Sequence, residues 1–206
     1  METRGKGVLP AERRRALLET AAAEFAQAGY ERASLNRVLQ AQGMSKSSFY
    51  HYFASKEALF GAVVADLGRE IAEALEVPDA EALAGDFWGE IGALAGRLGG
   101  MGEGAPEFIR FAALFYLPDA PAGPGSPLAA ARAGIDGWID RALAVGREAG
   151  AIGDKMPVGL QRHLCKAVLW AMDEWTVEHL ETLSPKELEA LPEAQLVALR
   201  RLLGKK

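Results

Sequence analysis

Gly43-Met44-Ser45-Lys46-Ser47-Ser48-Phe49-Tyr50-His51-Tyr52-Phe53 is the stretch whose reading decides the fold of this chain. Glycine at 43 suits a tight turn, and Ser45 offers a side-chain acceptor able to cap a helix starting just after it. Wound at about 100° per residue, that helix puts Lys46, Ser47, Tyr50 and His51 on one arc of about 140°. Ser45, Phe49 and Tyr52 fall on the opposite arc, with Ser48 at its edge. One face is cationic and hydrogen-bonding, and the other is able to pack. A helix divided in this way can project donors into a major groove while its back is held rigid. A short amphipathic surface helix would share the division, so the flanking sequence matters.

Upstream, Ser34 is placed to cap a short helix carrying Leu35, Val38 and Leu39, and Gln42-Gly43-Met44 separates it from the next. Before that, Pro10 opens a longer helix in which Leu17, Ala21, Phe25 and Ala28 recur at three- and four-residue steps until Gly29. Downstream, Ser55 caps a long helix with Leu59, Val63, Leu67 and Ile71 on one face, stopping before Pro78. Two short helices beneath a longer first one make a helix-turn-helix pattern. Arg13, Arg14 and Arg15 lie in the first turns of helix one, and Lys56 directly follows the cap of helix four. Cations near a helix N-terminus cost a few tenths of a kcal/mol or more, a cost that a phosphate would remove. Glu12 and Glu57 would remove it locally as well.

Gly29-Tyr30, Ser34-Leu35-Asn36-Arg37-Val38 and the run from Gly43 to Leu59, with its Tyr-His-x-Phe-x-x-Lys-Glu stretch, resemble the DNA-binding domain of the TetR family of transcriptional regulators. The resemblance covers about residues 10–65. Ser47 stands where the family often has Gly or Pro, and Leu39 where it usually has Ala, which implies altered packing between helices one and two. The family pattern implies DNA contacts at Ser34, Asn36, Arg37, Ser45, Lys46, Ser47, Ser48, Tyr50, His51, Tyr52 and Lys56, the last on a phosphate. By its chemistry Lys46 is the best placed to read a guanine edge, while Tyr50, His51 and Tyr52 suit positioning against the backbone.

Charge is distributed accordingly. The 206 residues carry a net −5, yet residues 1–60 hold nine Lys/Arg against six Asp/Glu, and the remainder 14 against 22. A basic head on an acidic body suits a protein that touches a polyanion at one end, although chance asymmetry would read the same. The single cysteine, Cys165, forbids an intrachain disulfide. With no apolar core near the N-terminus and no run of about 20 apolar residues, a cytoplasmic protein off the membrane is expected.

Beyond Pro78 the periodicity gives helices near 79–98, 105–117, 127–149, 157–181 and 185–203, with a proline-rich loop at 118–127. Ser184-Pro185-Lys186-Glu187 is a capping box, and Pro192 either kinks or restarts the last helix. The expected fold is all-α with about nine helices: a three-helix DNA-binding domain over 1–54 and a larger helical domain over 55–206 for effector binding and dimerisation. One late helix presents Leu164, Val168, Met172, Trp175 and His179; the other presents Leu188, Leu191, Leu196, Leu199 and Leu203. The resemblance implies that these helices join two chains in a four-helix bundle, which makes Leu164, Val168, Met172, Trp175, His179, Leu196, Leu199 and Leu203 dimer candidates; intramolecular core is the alternative.

The resemblance also implies a small effector bound among the middle helices. Trp88, Phe108, Phe111, Phe115, Trp138 and Trp170 would line its site, with Arg110, His163 or Asp173 as a polar anchor. Aromatics at helical spacing equally describe a core. The function implied is a ligand-responsive repressor binding a palindromic operator as a homodimer and released by a small apolar or aromatic effector. An activator, or a regulator controlled by a partner protein, would share the motif. An enzyme is not expected: His163 and Cys165 are two apart on one helix and point away from each other, and no metal-ligand spacing or cofactor motif is present.

Overall fold

Five helices begin on a serine whose Oγ accepts an N–H three residues on: Ser34 from Arg37, Ser45 from Ser48, Ser55 from Ala58, Ser126 from Ala129 and Ser184 from Glu187, at 3.0–3.4 Å. At Ser184 the Glu187 carboxylate reaches back to the Ser184 N–H at 2.9 Å, completing the capping box. These caps satisfy donors that the first turn leaves open, so the polar punctuation of the sequence fixes where helices start.

A computed structural model describes residues 9–100, 106–180 and 182–204, the side chains of 106–108 excepted. Among the described residues it is all-helical: α1 (Ala11–Ala28), α2 (Leu35–Ala41), α3 (Lys46–Tyr52), α4 (Lys56–Ala74), α5 (Phe87–Gly100), α6 (Pro106–Phe115), α7 (Pro127–Glu148), α8 (Val158–His179) and α9 (Pro185–Leu203), with a 3₁₀ turn at Ala80–Ala84. The expected helix over 79–98 is two elements. Asp86 breaks it by accepting the Gly89 N–H at 3.0 Å, which starts a new helix. Helix α4 ends four residues before Pro78, where Glu76 turns left-handed at φ 46°. Pro192 neither ends nor restarts α9, which runs through it.

The chain divides into two compact units, residues 1–70 with 109–131, and residues 71–108 with 132–206. In the first, Leu17, Phe25, Phe49, Leu59, Phe60 and Leu114 are almost wholly buried. The Phe60 ring meets Phe25 and Tyr30 edge-on at 5.0 and 5.2 Å. Leu39 is also buried, so the larger side chain at that position is absorbed into the core.

In the second unit, Leu83, Phe87, Ile139, Leu143, Ile152, Cys165 and Leu203 form one buried cluster. Its packing depends on glycines at close approaches. A Cβ on Gly146 would lie 2.7 Å from the Phe87 ring, and one on Gly99 would lie 3.0 Å from the Glu189 carbonyl of α9. The glycine-rich α5 thus lets α9 approach its backbone. Among the described residues no helix is long and apolar enough to cross a membrane.

Candidate nucleic-acid interface

Helix α3 has the two faces its sequence requires. Phe49 is 0% exposed, and Phe53 stacks on it at 5.5 Å. Lys46, Ser47, Tyr50 and His51 are exposed, and Tyr50 keeps 50% of its surface although its ring edge rests on Phe49. His51 meets Tyr52 edge-on at 5.0 Å. A ring with its back on a buried partner has little freedom left to lose on contact. The turn before α3 is held as well. Gly43 is left-handed at φ 57°, Met44 donates to the Leu39 carbonyl at 2.9 Å, and Gln42 Nε2 donates to Thr20 Oγ1 on α1 at 2.6 Å.

Several expected contact residues are already engaged within the chain. The Ser34 and Ser45 hydroxyls accept the capping bonds, which leaves each a donor hydrogen. Arg37 turns back to Glu24 on α1, its Nε lying 3.1 and 3.0 Å from the two carboxylate oxygens. The Ser34 N–H donates to the same carboxylate at 2.7 Å. Glu24 is held below the usual glutamate range, first by the Arg37 side-chain hydrogen bond and then by the Ser34 N–H. Its contribution to the α1–α2 junction is therefore full at neutral pH and is lost as pH falls through that lowered value. Arg37 seats α2, while Asn36 beside it is exposed.

Lys56 Nζ donates to the carbonyls of Tyr30 and Glu31 at 2.8 and 3.0 Å and lies 4.7 Å from the Tyr30 ring centroid. Carbonyls, rather than Glu57, hold this ammonium at the start of α4, and one of its three N–H donors is left for another acceptor. Two of the three arginines of α1 find partners too: Arg14 pairs with Asp66 at 3.1 Å and Arg15 with Glu19 at 2.9 Å. Arg13 is exposed and enters no ion pair among the described residues.

Glu24, Asp66 and Thr20 were not legible as parts of this site, because each partner lies more than a helical turn away in sequence. A fourth such residue is Asp119, whose carboxylate accepts the N–H groups of Tyr30 and Glu31 at 3.0 and 2.9 Å.

The residues expected around an effector are largely pinned by their polar atoms. The Trp88 indole donates to the Ala151 carbonyl at 3.0 Å, Trp138 to Pro78 at 2.8 Å and Trp170 to Asp136 at 2.9 Å. Trp88 and Trp138 pack against the buried cluster of the second unit, and Arg132 lies over the Trp170 ring at 4.8 Å. His163 is exposed and Asp173 half-buried. Phe111 and Phe115 belong to the first unit and pack on each other at 5.3 Å. The Phe108 side chain lies outside the described residues. Burial pushes the Cys165 thiol up to about 11, so it rests as an unreactive thiol.

On α9 the residues expected at a dimer seam are already covered within one chain. Leu196 and Leu203 are 9% and 4% exposed within one chain, and Leu199 packs against the second unit's own cluster. They face inward because α9 lies on α5. On α8, Leu164, Val168, Met172 and His179 are half-buried, whereas Trp175 is 45% exposed and stacks on His179 at 4.4 Å.

Residues 17–63 match the family model for bacterial regulatory proteins of the tetR family. Over 53 residues the chain is 45% identical to the HTH-type transcriptional repressor Rv1474c of Mycobacterium tuberculosis, a match covering 26% of this chain and 28% of that protein. Matches of this kind span about a third of the curated relatives' lengths. In fold, a TetR family transcription regulator from Shewanella sp. PV-4 is similar at 20% identity and a TM-score of 0.68, covering 94% of this chain and 99% of that one. SmeT, in its triclosan complex, is similar at 16% identity and a TM-score of 0.70, covering 95% and 93%. Helices α2 and α3, a helix-turn-helix in arrangement, lie within the stretch that matches the tetR-family model, and the fold as a whole is similar to that of solved regulators of that family.

Proposed function

We propose that this protein is a transcriptional repressor that binds a palindromic DNA operator as a homodimer and is released by a small effector. One observation carries the DNA-binding part: four polar or cationic side chains, Lys46, Ser47, Tyr50 and His51, stand exposed on a helix whose back is anchored by the fully buried Phe49. Ser48, Tyr52, Asn36 and the remaining Lys56 donor would add backbone contacts around them. Residues 1–54 carry the DNA-binding role and 55–206 the dimerising and effector-binding role.

A single helix-turn-helix buries too little for operator affinity, so two copies are needed. The seam we assign is the outer face of α8, where Leu160, Ala167, Ala171 and Trp175 are exposed, joined by Val197 of α9. The effector is an apolar or aromatic molecule, in keeping with the triclosan complex of SmeT, and the faces of Trp138 and Trp170 in the second unit are its candidate contacts. Such a ligand must bind the DNA-incompetent state more tightly, since equal affinity for both states shifts nothing. The protein acts in the cytoplasm and performs no catalysis.

Selection of duplexes from a random-sequence library by the wild-type protein tests this reading. Enrichment of two half-sites related by a two-fold axis, with affinity falling steeply as salt rises, is the expected result. Recovery of no enriched sequence would overturn it.

A further inference from the structure

We propose that Asp119, in the 116–126 connection between α6 and α7, is a positioning residue for DNA binding, clamping the turn from which α2 and Lys56 take their places. The inference rests on the DNA-binding reading of α3 and extends it to a residue far from the motif in sequence.

The clamp has two jaws. On one side, each oxygen of the Asp119 carboxylate accepts one main-chain N–H, Tyr30 at 3.0 Å and Glu31 at 2.9 Å. On the other, the Lys56 ammonium donates to the carbonyls of the same two residues at 2.8 and 3.0 Å. Each of the two residues is therefore held between an anion at its N–H and a cation at its C=O, so the charges polarise both groups in the same sense. Gly29 makes the approach possible. Its φ of 78° suits glycine, and a Cβ there would lie 2.9 Å from Asp119 Oδ2.

What the clamp holds is the frame of the reading head. Tyr30 and Glu31 lie in the turn between α1 and α2; after them Ala33 is buried and Ser34 caps α2. Lys56 opens α4 four residues after α3 ends. The entrance to α2 and the exit from α3 thus meet at one turn, and Asp119 fixes its donor side. The connection that carries Asp119 is itself well anchored. Leu114 before it is fully buried, Pro118 fixes the chain direction just ahead of Asp119, and Pro127 beyond it fits against Gly61, where a Cβ would lie 2.9 Å away. The Asp119 carboxyl is held below the usual aspartate range, first by the Glu31 N–H and then by the Tyr30 N–H.

The sign of the effect separates positioning from charge. Asp119 is an anion near a surface meant for a polyanion, so a purely electrostatic role predicts that removing the charge tightens DNA binding. Positioning predicts the reverse. The substitution Asp119→Asn would set an NH₂ donor against one of the two N–H groups, removing one of that jaw's two hydrogen bonds at unchanged size.

The test uses the full-length protein and a duplex selected by the wild type from a random library, beside a scrambled duplex. Asp119→Asn is expected to bind the selected duplex about tenfold more weakly, the loss of one charge-assisted hydrogen bond read as affinity. Combined with Lys56→Met, the loss should be less than the product of the two single losses, because both act on one turn. Binding by Asp119→Asn as tight as wild type or tighter, or a fully multiplicative double variant, overturns the proposal. A wild type that binds no duplex would instead overturn the DNA-binding reading itself. Should the variant fail to fold, amide exchange in the wild type decides: the Tyr30 and Glu31 amides exchange slowly if the clamp holds, and exchange at unprotected rates contradicts it.

Discussion

Phe49→Ala is expected to destabilise the first unit by about 3–5 kcal/mol and to abolish operator binding at temperatures where the rest of the chain remains folded. Phe49 is the only residue of α3 that is fully buried, and Phe53 stacks on it at 5.5 Å. A seven-residue helix has no stability of its own, so its orientation depends on this anchor. Truncation leaves a cavity that the flanking helices fill only in part, and α3 loses the seat that aims its outer face. Thermal unfolding followed by circular dichroism measures the stability loss. Tyr50→Ala, one residue on, separates the two faces. With half its surface exposed, Tyr50 should change stability by only about 0.5 kcal/mol, while operator affinity falls. If Tyr50→Ala lost stability instead, or if Phe49→Ala kept both fold and binding, the division of α3 would be wrong.

In the homodimer proposed above, Trp175→Glu is expected to convert dimer to monomer at micromolar concentration and to lower operator affinity at least about 100-fold. An indole 45% exposed within one chain is costly unless something covers it, and large aromatics at the centre of an interface commonly contribute about 2 kcal/mol or more each. A two-fold interface counts the substitution twice. The new carboxylate would also stand beside the exposed Glu174 and Glu178, adding like-charge repulsion to a seam that must be desolvated. Because Trp175 is exposed in the single chain, the fold should survive, which sedimentation and circular dichroism together would establish. A variant that stays dimeric would move the seam away from α8.

The helix starts were legible because their chemistry is local. Ser34, Ser45, Ser55 and Ser184 cap at a spacing of three residues, and the period of Leu17, Ala21 and Phe25 marks the buried face of α1. The two faces of α3 follow from the same local geometry. What the motif leans on was not legible. Glu24 and Arg37 are 13 residues apart, Arg14 and Asp66 are 52, and Tyr30 and Asp119 are 89, and no pattern in one sequence links them. On α9 the apolar period of Leu196, Leu199 and Leu203 identifies a face without saying what covers it. In the structure that face meets α5 and the chain's own core. The tryptophans pose the same difficulty, since an indole nitrogen bound to a distant carbonyl looks in sequence like a free aromatic.

The exposed arc of α3 as a reader of base sequence is tested most directly through Lys46. Affinities of Lys46→Ala and wild type would be measured on the selected operator and on duplexes carrying each single base change in both half-sites. Base reading predicts that the variant loses its preference at one symmetry-related pair of positions, about 1–3 kcal/mol of discrimination, and keeps it elsewhere. Equal weakening on every duplex would show that Lys46 holds only the phosphate backbone, and would contradict the role assigned to α3.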